Sequence, residues 1–216
     1  MDRVRNMPSF EKELLHEVQW RIDEISLLKT IPHLYKFSDI QKKVLQKYSI
    51  PSIYSLWEGF VSDSFSLYIR KLNELKLLMN QLSQNIIVHD LDVKYHLSDG
   101  RKNFDKKVSL VKNVYNYIKS PINLSSNIPT KSNINFNVIN DVLKRFKLQP
   151  LPEKPYGKEL DKLVLIRNNI SHGQVIASID QGLIDELSIN TMNIIYEVFN
   201  RIVEGYRNKT YLNDSF

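Results

Sequence analysis

The sequence predicts an all-α helical bundle with a basic, partly irregular middle, and three observations carry that prediction. Apolar residues recur at spacings of three and four through several long segments, the period of an amphipathic helix. Only six glycines occur in 216 residues, and none stands in a G-x-G-x-x-G or G-x-x-x-x-G-K-S/T arrangement, which argues against the usual phosphate-cradling nucleotide folds. One alanine, Ala177, stands against twenty asparagines, so the helices gain little from intrinsic propensity and must be held by packing against one another.

The elements follow in order. Phe10, Leu14, Leu15, Val18, Ile22, Ile25 and Leu28 line one face of a helix over 10–31. A second helical pattern runs over about 40–48, and a long one over about 53–82 after Pro51, whose apolar side includes Trp57, Phe60, Val61, Tyr68, Leu72 and Met79. The stretch 83–101 is less periodic and reads as loop or brief strand. Residues 104–118 read as helix, and SPINLSSNIPTKSN as a surface loop. Helices are expected again over 136–146, 160–171 and 184–206, with the Pro-rich LQPLPEKPYG as a break. The whole of 1–216 is expected to form one domain, a length that supports a sizeable core.

The net charge of +6 is unevenly placed. Residues 101–158 hold twelve Lys or Arg against three Asp or Glu, which suits either a polyanion-binding segment or a solvated basic face. With no cysteine there is neither a disulfide framework nor a thiol nucleophile. The opening residues lack the apolar core of a signal peptide, and no stretch approaches the ~20 apolar residues of a membrane span. A soluble, cytoplasmic protein is the expectation.

The run LDKLVLIRNNISHGQ holds the residues best suited to chemistry. Gly173 suits the position just past a helix C-terminus, and His172 then sits in the last turn, where the negative end of the macrodipole favours a proton. Asn168 lies ~40° from His172 on the wheel, while Arg167 lies ~140° away and ~7.5 Å along the axis. Arg167 also falls within the apolar arc of Leu160, Leu163, Val164, Ile166 and Ile170. A guanidinium there must be paired, or must face a cleft or partner, because burying it bare costs several kcal/mol. Glu58, at the edge of the apolar face of the long helix, either pairs with Arg167 or is solvated, and the need of Arg167 for a partner favours pairing.

The run RNNISHG resembles the Arg-x4-6-His motif of HEPN domains, in which a polar residue often follows the Arg. YSLWEGFV at 54–61 and NINFNVINDVLKRF at 133–146 resemble the aromatic-Glu-Gly helix and the Asn-Phe segment of the prokaryotic MAE-type HEPN branch, so that the resemblance spans about 50–205. It implies a HEPN-like helical bundle, a homodimer bringing two motifs to one cleft, and metal-independent endoribonuclease activity without a cofactor. Such proteins act in toxin–antitoxin or antiphage defence systems, which implies RNA as substrate and a cognate antitoxin or defence partner. Other members are silent modules that bind a nucleic acid or a protein. By resemblance Arg167, Asn168 and His172 take the catalytic roles, with Glu58 in support.

Three further features stand out. His89, Asp90, Asp92 and His96 form an H-D-x-D-x3-H cluster that suits either a divalent ion or an ordinary polar loop. His16 and His33 lie among charged or turn residues and are expected at the surface. Ser55, Gly59, Ser62 and Ser66 form a small-residue stripe along the long helix, either open to solvent or packed against another helix, within the chain or across a dimer axis.

Overall fold

The computed structural model describes residues 9–95, 104–129, 133–174 and 179–214. Seven α-helices appear among them: α1 Ser9–Leu34, α2 Asp39–Glu74, α3 Gln84–Tyr95, α4 Phe104–Ile118, α5 Phe136–Arg145, α6 Glu153–Ser171 and α7 Gln181–Arg207, with a 3-10 turn at Met79–Gln81. The described residues contain two isolated β-bridges and no longer strand. The all-α class therefore holds. The chain divides into two compact units, the first made of Met1–Ser64, Thr130–Asn140 and Leu151–Asn200, the second of Phe65–Pro129, Asp141–Pro150 and Arg201–Phe216.

In the first unit α1 buries Phe10, Leu14, Val18 and Ile25 at helical spacing, and α2 buries Ile50, Ile53, Trp57 and Phe60. Leu160, Leu163 and Ile170 of α6 and Ile184, Leu187, Ile194 and Ile195 of α7 are buried in the same unit. Lys162 reaches Glu186 at 2.6 Å and Asn190 donates to Glu159 at 2.8 Å, so α6 and α7 are tied at two levels. The helix expected over 40–48 and the one after Pro51 are a single helix, since α2 runs through Pro51. Proline removes one amide donor from the ladder. Around the gap the hydroxyls of Ser49, Ser52 and Ser55 donate to the carbonyls of Leu45, Tyr48 and Pro51, the back-bonding that lets a helix bend past a defect. The same helix stops earlier than the periodicity suggests, at Glu74, where Lys76 takes a left-handed conformation.

At its centre the small-residue stripe meets a side chain of another helix of the same chain. A Cβ on Gly59 would lie 3.4 Å from Nη2 of Arg21, a side chain of α1 that is only 1% exposed. Arg21 donates to Glu17 at 2.6 Å and to Asp63 at 2.5 Å, and its guanidinium stacks 4.1 Å from the Trp20 ring. A Cβ on Gly59 would therefore be in ordinary van der Waals contact with this guanidinium. Ser55 and Ser62 are exposed.

In the second unit most of the segment 83–101, expected as loop or brief strand, is helix α3, Gln84–Tyr95, and residues 96–101 lie outside the described ones. Its buried positions are Ile86, His89, Asp90 and Leu91, and the apolar pattern was hidden because two of the four are polar. His89 packs 4.8 Å from Phe146, which also meets Phe65 at 5.1 Å and Tyr68 at 5.8 Å. Of the loop expected over 120–133, residues 130–132 lie outside the described ones and the rest is irregular as expected, yet it is pinned rather than a simple surface loop. Ile122, Leu124 and Ile128 are buried, Ile122 N–H donates to Leu77 O, and Asn73 both donates to and accepts from the backbone of Leu124.

Helix α7 passes Leu148 very closely in this unit: a Cβ on Gly205 would lie 2.1 Å from Leu148 Cδ2. Both residues are buried, so Gly205→Ala is expected to destabilise the protein by about 1–3 kcal/mol in urea unfolding through overpacking. Combining it with Leu148→Ala should cost less than the sum of the two changes, because the second removes the clash that the first creates. Additive costs would show that the close approach is not the cause.

The basic segment is partly neutralised from within. Arg145 bonds Asp141 at 2.8 Å and Asp92 at 3.1 Å, and Lys147 pairs with Asp214. Lys107, Lys112, Lys119, Lys144 and Lys158 are exposed. No helix among the described residues is long and apolar enough to cross a membrane.

Candidate functional site

Arg167 lies in the penultimate turn of α6, and the first unit supplies what its position on the apolar arc demands. Its guanidinium carbon sits 3.8 Å from the centroid of the Tyr54 ring on α2. Its Nη1 donates to Asn168 Oδ1 at 2.8 Å, and its Nη2 lies 3.9 Å from Glu58 Oε2. The side chain is 19% exposed, so the charge is sheltered on one side and reaches solvent on the other. Stacking on an aromatic face plus a carboxylate is an arrangement that suits the planar guanidinium far better than an ammonium.

Tyr54 is the organising residue. Buried among α2 neighbours, its hydroxyl donates to Glu58 Oε1 at 3.1 Å and accepts the Ile134 amide at 2.8 Å, while Trp57 Nε1 donates to the Ile134 carbonyl at 2.9 Å. Burial pushes the Tyr54 phenol above its ordinary value. The Ile134 amide pulls it back, Glu58 raises it again and Arg167 lowers it. The hydroxyl therefore keeps its proton and holds one carboxylate oxygen of Glu58, leaving the other turned toward Arg167. Sequence reasoning paired Arg167 with Glu58 correctly and missed Tyr54. The available signal was the i, i+4 spacing of Tyr54 and Glu58, which places both on one helical face.

His172 is the C-cap of α6, with its backbone N–H bonded to Asn168 O at 3.0 Å. Gly173 follows at φ +71°, and its N–H and that of Gln174 bond to the carbonyls of Ile170 and Asn169, so the helix closes on a left-handed glycine as its sequence predicts. The imidazole is exposed and takes no part in the Arg167–Asn168–Glu58–Tyr54 cluster. Arg167, Asn168 and Glu58 are thus brought together, and His172 stands apart at the helix end.

The family model for HEPN_MAE_28990-like HEPN domains matches residues 10–211. The chain belongs to this HEPN family. No curated protein and no solved structure matches it. The match extends well beyond the residues that carried the resemblance, reaching α1 of the HEPN chain at one end and Tyr211 at the other.

The H-D-x-D-x3-H cluster is described at His89, Asp90 and Asp92 only. Among the described residues no group of three or more His, Asp or Glu is placed to hold a metal ion, and His96 lies outside them. The other three members point to different partners: His89 packs on Phe146, Asp90 accepts the Ser125 amide and pairs with Lys94 at 2.7 Å, and Asp92 pairs with Arg145. Burial, reinforced by Arg145, holds the His89 imidazole below its usual range, against the pull of Asp90, Asp92 and Asp141. His16 and His33 are exposed, as expected.

Proposed function

We propose that this HEPN protein is an endoribonuclease that acts without a metal ion, with Arg167, Asn168 and His172 as its catalytic residues and Glu58 in support. The observation that carries the reading is the stacked and tethered Arg167, which presents a sheltered cation at the solvent edge of the helix that ends in His172. RNA carries its own nucleophile, the 2′-OH. In-line attack of that oxygen on the adjacent phosphorus, with departure of the 5′-oxygen, leaves a 2′,3′-cyclic phosphate and requires only proton transfer and stabilisation of the crowded phosphate. His172 takes the 2′-OH proton or supplies one to the leaving oxygen, and Arg167 stabilises the charge that builds on the phosphoryl oxygens. Asn168 and Glu58 hold the guanidinium plane.

Within one chain Arg167 and His172 diverge by ~140° around the helix, which favours a cleft completed by a second copy. A homodimer acting in the cytoplasm as a toxin or antiphage effector, restrained by an antitoxin or a defence-system partner, follows from the same reading. The test is incubation of the purified protein with total RNA in EDTA. Fragments ending in a 2′,3′-cyclic phosphate are the expected result, accompanied by a dimer mass in sedimentation. Intact RNA at high enzyme concentration would overturn the nuclease. A second reading, a silent module that binds RNA or a protein, is favoured by the completeness of the Arg167 cluster, since a guanidinium already engaged by Tyr54, Asn168 and Glu58 also serves as a core fastening. RNA retained but uncut in the same experiment would select it.

A further inference from the structure

Helix α4 has two apolar sides, and only one is covered. Leu110, Val114, Tyr117 and Ile118 are half-buried in the second unit. Phe104, Val108, Val111 and Tyr115 remain 77%, 51%, 55% and 71% exposed. Spaced by four, three and four, these four lie within about 60° of one another on the wheel and form a stripe about 16 Å long. A soluble helix with an open apolar stripe in addition to its buried face has an unmet need for cover.

The pattern specifies what covers it. Alternating steps of four and three define a heptad seam with Phe104 and Val111 at d and Val108 and Tyr115 at a, narrower than the face a helix turns to a globular core. Lys107 then occupies the g position and Lys112 the following e position, one on each side of the seam and both exposed, with the exposed Asp105 at the preceding e position. Those are the positions whose charges choose a coiled-coil partner. A second copy of this chain is a poor match: in parallel pairing Lys107 would face Lys112 of the other copy, and in antiparallel pairing each lysine would face its own equivalent. A single strand of nucleic acid is also a poor match, because the two aromatic rings stand at opposite ends of the stripe with two valines between them, not as a stacking platform.

We propose that this face of α4 is a docking surface for one amphipathic helix of another protein, with an apolar a/d seam and glutamate or aspartate at its edges. The helix-in-groove mode supplies affinity through the four apolar side chains and selectivity through the two lysines. This surface is independent of the ribonuclease reading and stands or falls separately from it.

The test titrates the full-length protein into a fluorescently labelled synthetic peptide of three heptads, with leucine at a and d and glutamate at e and g, followed by anisotropy. A matched peptide with lysine at e and g is the control. Saturable binding at least tenfold tighter for the glutamate peptide is expected. Val111→Asp should weaken it at least tenfold, and Lys107→Glu with Lys112→Glu should reverse the preference between the two peptides. Since these side chains are exposed, circular dichroism and the melting curve of each variant should match the parent, which separates lost docking from lost folding. Absence of saturable binding, or equal affinity for the two peptides, overturns the proposal. So does association with anionic phosphatidylserine vesicles, with a single-stranded RNA oligomer or with itself in sedimentation that Val111→Asp abolishes, because each would give the stripe a different occupant.

Discussion

His172→Ala is expected to lower RNA cleavage by a factor on the order of 10² to 10⁴ while leaving the fold intact. The imidazole sits at the C-cap and is exposed, and the cap itself is made by backbone bonds and by Gly173, so truncating the side chain should change stability by no more than about 0.5 kcal/mol. Arg167→Ala should reduce cleavage by a similar factor for a different reason, the loss of charge stabilisation, and should also cost about 1–2 kcal/mol of stability by removing the stack on Tyr54 and the contacts to Asn168 and Glu58. The ion-pair share of that cost is small, because Glu58 is one-third exposed and the pair is loose at 3.9 Å. Arg167→Lys separates charge from shape. It keeps the cation but loses the planar fork, so most of the activity should disappear with it. Cleavage assays in EDTA alongside urea unfolding check all three variants. Parental cleavage rates for both alanine variants would remove these residues from the catalytic centre.

The largest loss of stability is expected at Arg21. Its side chain is buried, donates twice to Glu17, bonds Asp63 and packs against Trp20 and Phe60. Arg21→Ala removes these contacts at once and opens a large void between α1 and α2 in the first unit. About 2–4 kcal/mol is the expected cost. The figure stays below the upper range for a broken buried pair because Glu17 and Asp63 keep 30% and 58% exposure and can be solvated once the guanidinium has gone. Arg21→Met restores much of the volume and should recover part of the loss, which would show how much comes from packing. Gly59→Leu attacks the same seat from α2 and should destabilise by about 1–3 kcal/mol, since the guanidinium has to move to admit the side chain. Urea unfolding decides it. An Arg21→Ala variant within 1 kcal/mol of the parent would mean that α1 is held by its apolar stripe alone.

Most of the helices were legible because their buried positions are apolar and regularly spaced, as Phe10, Leu14, Val18 and Ile25 are in α1. Helix α3 was not, since His89 and Asp90 occupy core positions, where His89 packs on Phe146 and Asp90 accepts the amide of Ser125, both far along the chain. Pro51 misled in the opposite direction. A proline is read as a break because of its missing donor, whereas packing of Ile50, Ile53 and Trp57 on either side holds the helix continuous through it.

The candidate site divides in the same way. Sequence alone determined the helical class, the position of Gly173 at a helix end and the need of Arg167 for a partner, because each of these depends on residue type and local period. Tertiary structure alone decided that Arg167 stacks on the Tyr54 ring, that the buried Arg21 lies against Gly59, and that His89, Asp90 and Asp92 of α3 meet Phe146, Ser125 and Arg145. Local period tells which face a side chain occupies; what stands opposite that face depends on residues a hundred positions away, brought there by the folding of the whole chain.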